Sequence, residues 1–109
     1  MKRGEIWTAA GGPGYAGKPR PVVIVQSDAF DATSSVTICG LTTDPTEAPL
    51  ARVVIAPNET NGLKATCRLM ADKIMTVPRA KLDHRIGRLA SEDILRMNRA
   101  IVVFLGLAG

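Results

Sequence analysis

Arg20 stands between Pro19 and Pro21, in the segment AGKPRPVVIVQ. Each proline fixes its own φ and biases the residue before it toward extended backbone, so a guanidinium is mounted on a stiff support. Arginine keeps its charge at any relevant pH and offers five donors in a planar fork. A fork held still suits a phosphate that gains charge in a transition state, because nothing has to reorganise. The same residue equally fits a strand-end arginine paired with a surface carboxylate, the commoner arrangement.

A second pair with chemical potential is Thr42-Thr43, placed by the pattern at a strand end. Their hydroxyls could bind a phosphate oxygen or a ribose 2′-hydroxyl, or could hydrogen-bond locally in the turn at Asp44-Pro45. Arg68, Asp72 and Lys73 fall on one predicted strand. Strict alternation puts Arg68 and Asp72 on one face and Lys73 on the other. The single histidine, His84, has the pKa for acid–base work, but KLDHRIG reads as a turn or loop and no neighbour marks a partner for it. Two distant cysteines, Cys39 and Cys67, and one histidine are too few ligands for a zinc site, and the cysteines read as small buried apolar residues. Ser27, Ser34, Ser35 and Ser91 lack a nucleophile-elbow context. The run Gly11-Gly12-Pro13-Gly14 has neither the spacing of a dinucleotide fingerprint nor a helix behind it.

The elements that must position these residues follow from periodicity. Glu5–Ala9 reads as a first strand with Trp7 as an anchor, and Ala10–Lys18 as a mobile glycine-rich loop with Tyr15 near its tip. Pro21–Gln26 is a β-branched run, Ser27–Phe30 one helical turn, and Ser35–Leu41 an alternating strand. Ala51–Ala56 is a strand stopped by Pro57-Asn58, Asn61-Gly62 a turn, and Arg68–Val77 a long strand ending at Pro78. About five strands at short spacing predict a small barrel rather than a βαβ fold. The period then changes. Ser91 reads as an N-cap followed by Glu92 and Asp93 at the positive end of a helix dipole. Ile94, Met97, Ile101 and Phe104/Leu105 follow at helical spacing, and Gly106 can end the helix.

At 109 residues and 46% hydrophobic composition, the chain is expected to form one domain, 1–109, with a single core. Aromatic residues make up only 4%, so that core must be aliphatic. The net charge of +4 is unevenly spread: +3 over residues 1–27, −4 over 28–59 and +5 over 64–99. Such a distribution can steer a polyanion to one side or simply be solvated surface. No apolar run approaches membrane-spanning length and no signal peptide precedes Arg3, so the expectation is a cytoplasmic protein with no membrane partner.

With those residues in view, the chain resembles the MazF/PemK toxins of bacterial type II toxin–antitoxin systems. KRGEIW is similar to the family's opening strand and GKPRPVVIVQ to its Gly-x-Arg-Pro strand. CGLTT is similar to its strand-end threonine motif, RLMADKIMTVP to its long strand, and IGRLASEDILRMNRAIVVFLGL to its closing helix. The resemblance implies a mainly β fold with a C-terminal helix, an SH3-like small barrel of the MazF/PemK/CcdB type, assembling as a homodimer. It implies a metal-independent, cofactor-free endoribonuclease that cuts single-stranded RNA at short sequences. The RNA's own 2′-hydroxyl would attack, leaving a 2′,3′-cyclic phosphate and a 5′-hydroxyl. The family's catalytic arginine falls on Arg20 and its catalytic threonine on Thr42. Tyr15, Gly17, Lys18, Thr43, Arg68 and Lys73 are expected to line the RNA groove, with Tyr15 stacking on a base. The implied partner is a cognate MazE-like antitoxin with an acidic tail. Some relatives carry an arginine two residues before the aspartate of the long strand. Here that position is Met70, so no catalytic role is carried onto Asp72. The alternative is a CcdB-like toxin that binds gyrase without cutting nucleic acid, and the C-terminal sequence FLGLAG lacks the tryptophan such a toxin would use.

Overall fold

The computed structural model describes residues 1–10, 19–48 and 50–107. Among them run six strands and one α-helix: β1 (Glu5–Ala9), β2 (Arg20–Ile24), β3 (Ser35–Thr42), β4 (Arg52–Ile55), β5 (Cys67–Pro78), β6 (Leu82–Arg88) and α1 (Ser91–Phe104). The strands form one antiparallel sheet in the order β4-β5-β3-β2-β1-β6.

Alternation along the strands divides the sheet into two faces. Ile6, Val23, Cys39, Leu41, Val53, Ile55 and Leu69 point to one side and pack, with Leu89, Met97 and Ala100, into the main core beneath α1. A fully buried aliphatic side chain of this kind contributes about 1.5–3 kcal/mol relative to exposure. The opposite face carries a smaller cluster of Val22, Ile24, Val36, Ile38 and Leu82. Both cysteines are free thiols in the interior, and burial pushes the Cys39 thiol up to about 12.

The two outer strands do not pair, but the sheet curls until its edges approach. The linker from β4 to β5 meets β6, where the N–H of Arg88 donates to the carbonyl of Thr60 at 3.0 Å. Asn61 organises that linker. It is completely buried, its Oδ1 accepts the N–H groups of Asn58 and Leu63, and its Nδ2 donates to the carbonyl of Ala56. A buried amide is tolerated here because these bonds satisfy it. Gly62, at φ +67°, completes the turn.

Two expectations from sequence change. The segment KLDHRIG is a strand: Leu82–Arg88 is β6, paired with β1 from Glu5↔Arg88 to Ala9↔Leu82. Only Leu82 on it is buried, so most of its pairing is carried by backbone and its sequence shows no alternation of apolar residues. The N-cap of α1 is Ala90, with no side-chain cap, and Ser91 is the first helical residue. The carboxylates of Glu92 and Asp93 still sit in the first turn. At the other end Gly106, at φ +75°, and Leu107 donate to the carbonyls of Val103 and Val102, the pairing of a Schellman stop. Ile94 and Ile101 are half-buried beside the buried Met97, while Phe104 and Leu105 lie exposed beyond the core.

Candidate active site

The sheet face away from α1 holds a cleft of about 470 Å³. Strand register explains what lines it. β2 and β3 pair at Ile24↔Ile38, Val23↔Cys39 and Val22↔Gly40. The pairing stops there; carried on by two residues, that register sets Arg20 level with Thr42. Both line the cleft, above an apolar floor that includes Val22, Ile38, Met70 and Met75. Pro21 is half-buried behind Arg20, which is itself exposed at the first position of β2.

Thr42 is fixed by the turn that follows it. Its Oγ1 accepts the N–H of Asp44 at 3.1 Å. Asp44 in turn accepts from Thr46 through Oδ1, which takes both the backbone N–H at 3.0 Å and the hydroxyl at 2.7 Å. These two bonds hold the Asp44 carboxyl below the usual carboxylate range. The local turn bond and a phosphate contact are therefore compatible. A hydroxyl that accepts through one lone pair keeps its own proton to donate.

Lys73 lines the same cleft, contrary to strict alternation along β5. The cause is an irregularity between β3 and β5. Leu41 faces Leu69, but Cys39 faces Ile74, so β5 takes five steps where β3 takes two. The surplus residues switch the side on which later side chains emerge. Met70 before the irregularity and Lys73, Met75 and Val77 after it all reach the cleft. Arg68 is level with Thr42 across β3 and β5, but its Nη2 donates to Glu47 Oε1 at 3.2 Å and it lines a neighbouring groove of about 330 Å³. Thr43 is exposed and lies outside the cleft lining. Tyr15, Gly17 and Lys18 lie outside the described residues.

Three charged residues that sequence reasoning passed over also face this cleft: Arg52, Lys81 and Asp44. Arg52 opens β4 and pairs across the sheet with Met70. Its Nε donates to Asp72 Oδ1 at 2.8 Å and its Nη2 to Asp72 Oδ2 at 3.1 Å. This fork depresses the Asp72 carboxyl and raises Arg52 further. The signal in the sequence was the alternation of RVVI, which places Arg52 opposite the buried Val53. Its partner was hidden because Arg52 and Asp72 meet only once β4 and β5 are in register. Lys81 sits just before β6, which was read as loop. Among the described residues the cleft thus gathers four cations, Arg20, Arg52, Lys73 and Lys81, against one carboxylate, Asp44. Field lines from such a set converge in a concave site and attract a polyanion. His84 is exposed on β6 and is not part of the cleft lining. Among the described residues no three His, Cys, Asp or Glu side chains come together as metal ligands would.

The family model described as "PemK-like, MazF-like toxin of type II toxin-antitoxin system" matches residues 2–105. The chain belongs to the PemK/MazF family of toxins. A probable endoribonuclease MazF of Mycolicibacterium smegmatis is 55% identical over 109 residues, covering 100% of both chains. Endoribonuclease MazF9 of Mycobacterium tuberculosis is 30% identical over 115 residues, covering 98% of both. Among solved structures, a mycobacterial endoribonuclease in complex with its cognate antitoxin superposes with a TM-score of 0.80 at 24% identity, over 100% of this chain and 98% of that one. A MazE–MazF complex from Deinococcus radiodurans gives 0.79 at 16% identity, over 97% and 96%. The PemK/MazF membership and the cleft agree in kind, since a basic concave face is what an RNA-cutting toxin needs. The gyrase-binding alternative loses its ground, because the matching family and the named curated relatives are of the MazF type.

Proposed function

We propose that the cleft cuts single-stranded RNA, with Arg20 and Thr42 acting together on the scissile phosphate. The chain is an endoribonuclease toxin of a type II toxin–antitoxin pair. The observation that carries the residue assignment is that Arg20 and Thr42, from the neighbouring strands β2 and β3, line one cationic cleft. In the reaction the RNA's 2′-oxygen forms a bond to phosphorus as the bond from phosphorus to the 5′-oxygen breaks. Solvent water takes the proton from the 2′-hydroxyl and supplies one to the 5′-oxygen, giving a 2′,3′-cyclic phosphate and a 5′-hydroxyl. Charge builds on the non-bridging oxygens, and a rigid guanidinium stabilises it without reorganising. Thr42 donates its free hydroxyl proton to the same oxygens. Arg20 does not serve as the base, since a guanidinium is not deprotonated in a protein. The attacking group belongs to the RNA, so the scheme requires neither an enzyme nucleophile nor a metal.

The working unit is a homodimer of single-domain chains acting in the cytoplasm. The antitoxin is an acidic, MazE-like partner whose tail offers carboxylates where phosphates bind and folds on contact. Supporting this, the mycobacterial relative of the same fold was solved with its cognate antitoxin. Among the described residues, no helix is long and apolar enough to cross a membrane. The test is to incubate denatured natural RNA with the toxin and excess chelator, then map the ends. Cyclic phosphate and 5′-hydroxyl termini at a short recurrent sequence support the reading. No cleavage, or cleavage abolished by the chelator, overturns it.

A further inference from the structure

The cleft and the neighbouring groove are separate concavities that share one charged side chain, Arg52. Its side chain is only 13% exposed, and it is held by two hydrogen bonds to Asp72 rather than swinging on a free stem. Of five guanidinium N–H donors, two are engaged by Asp72. The other three make no hydrogen bond among the described residues, although the Asp44 carboxylate in the same cleft lies near enough to attract the guanidinium. A half-buried, orientation-locked guanidinium with donors to spare, at the mouth between two grooves, is built for a second anion.

The geometry points to a second phosphate subsite at Arg52, which binds a backbone phosphate next to the scissile one and so fixes where the strand lies over Arg20 and Thr42. The subsite rests on the RNA-cutting reading above. Register supports the spacing. Arg20 and Thr42 occupy one row of the sheet face, while Arg52, level with Met70, sits one row along and on the far side of β5. Rows on one face are about 7 Å apart and neighbouring strands about 5 Å, so Arg52 is too far from Arg20 to share its phosphate and near enough for the same strand to pass both. Asp72 acts through Arg52. Its carboxylate is absent from the cleft lining, and it sets the plane of the fork without touching RNA. Arg68, Arg96 and Arg99 border the groove beyond. The first two are engaged by Glu47 and Asp93, and none of the three lines the cleft, so Arg52 is the cation that reaches both the cleft and the groove where the strand would pass.

The test uses an oligoribonucleotide made uncleavable by a 2′-deoxy sugar at the mapped cut position. Binding is measured against salt for the wild-type toxin and for the double variant Arg52→Gln/Asp72→Asn, which keeps a neutral hydrogen-bonding pair and avoids an orphaned charge. Each flanking linkage is then replaced in turn by an uncharged methylphosphonate. The expected result is an affinity about tenfold lower for the double variant, with a slope of log affinity against log salt shallower by about 0.7, as for one lost contact on a single strand. One methylphosphonate next to the cut should weaken wild-type binding by a similar factor and leave the double variant unaffected. The single variant Asp72→Asn should keep the wild-type slope. A merely structural role for the pair would not couple to one linkage. Wild-type binding with an unchanged slope in the double variant, or coupling at no linkage, overturns the subsite and leaves the RNA-cutting reading standing. Failure of the wild type to bind the oligonucleotide overturns both.

Discussion

The N–H of Asp44 donates to Thr42 Oγ1 at 3.1 Å, and this bond decides which way the Thr42 hydroxyl can act. With one lone pair engaged, the hydroxyl keeps its proton free to donate. Thr42→Val keeps the shape and removes that donor. We predict a loss of turnover on the order of 10²-fold, as for one preorganised donor, with a thermal midpoint within a degree or two of wild type, because water can replace the lost acceptor at this exposed turn. Thr43→Val should leave turnover intact. Steady-state cleavage of a fluorogenic oligonucleotide checks both.

Two glycines predict opposite outcomes. A Cβ at Gly87 would lie 2.4 Å from the backbone carbonyl carbon and oxygen of Asn61 and 2.6 Å from the carbonyl of Thr60. Those atoms belong to the contact that brings the linker onto β6 and cannot yield without opening it. Gly87→Ala should cost about 1–3 kcal/mol or more. Gly40→Ala would meet only the terminal methyl of Met70, at 2.8 Å, which can turn away. Its stability should change little. Urea midpoints of the two variants provide the comparison.

Acid should weaken the fold through identifiable carboxylates. The Asp72 carboxyl is depressed by the hydrogen bond from Arg52. Burial of Glu5 opposes ionisation, but bonds from the Lys2 N–H and the Trp7 indole, with the N-terminus and Arg85 nearby, outweigh it and leave Glu5 below its usual value. A carboxyl depressed in the folded state contributes stability above its unfolded pKa of about 4 and loses it as pH falls toward the folded value. The thermal midpoint should hold near neutrality and fall below about pH 4. In Asp72→Asn the fall should be shallower. A midpoint insensitive to pH down to 3 would contradict this.

The interior thiols should be inert. Burial raises both Cys39, to about 12, and Cys67, so neither is a thiolate at neutral pH. Alkylation at pH 7.5 should be slow in the native protein and rapid at two sites in denaturant. Rapid native labelling of Cys39 would show that the core opens at β3.

Several features were legible in the sequence because they are local. The strands around Trp7, Val22-Val23-Ile24 and the alternating Ser35–Leu41 follow from β-branched runs, and α1 from the spacing of Ile94, Met97 and Ile101. Arg20 stood out through its prolines. What was not legible depends on pairing. β6 has almost no buried side chains, so it leaves no apolar period to read. Lys73 reaches the cleft only because β5 carries surplus residues opposite Gly40, a register event invisible within one strand. The Arg52–Asp72 fork joins residues twenty positions apart that meet only when β4 lies against β5.

The central claim is that Arg20 stabilises the scissile phosphate. Its most direct measurement is single-turnover cleavage of a defined single-stranded RNA by Arg20→Lys, with chelator present and folding checked by circular dichroism. Lysine keeps the charge and loses the planar fork. The expected result is a folded protein whose cleavage is slower by about 10²–10³-fold. Cleavage by a folded Arg20→Lys variant at close to the wild-type rate would contradict it.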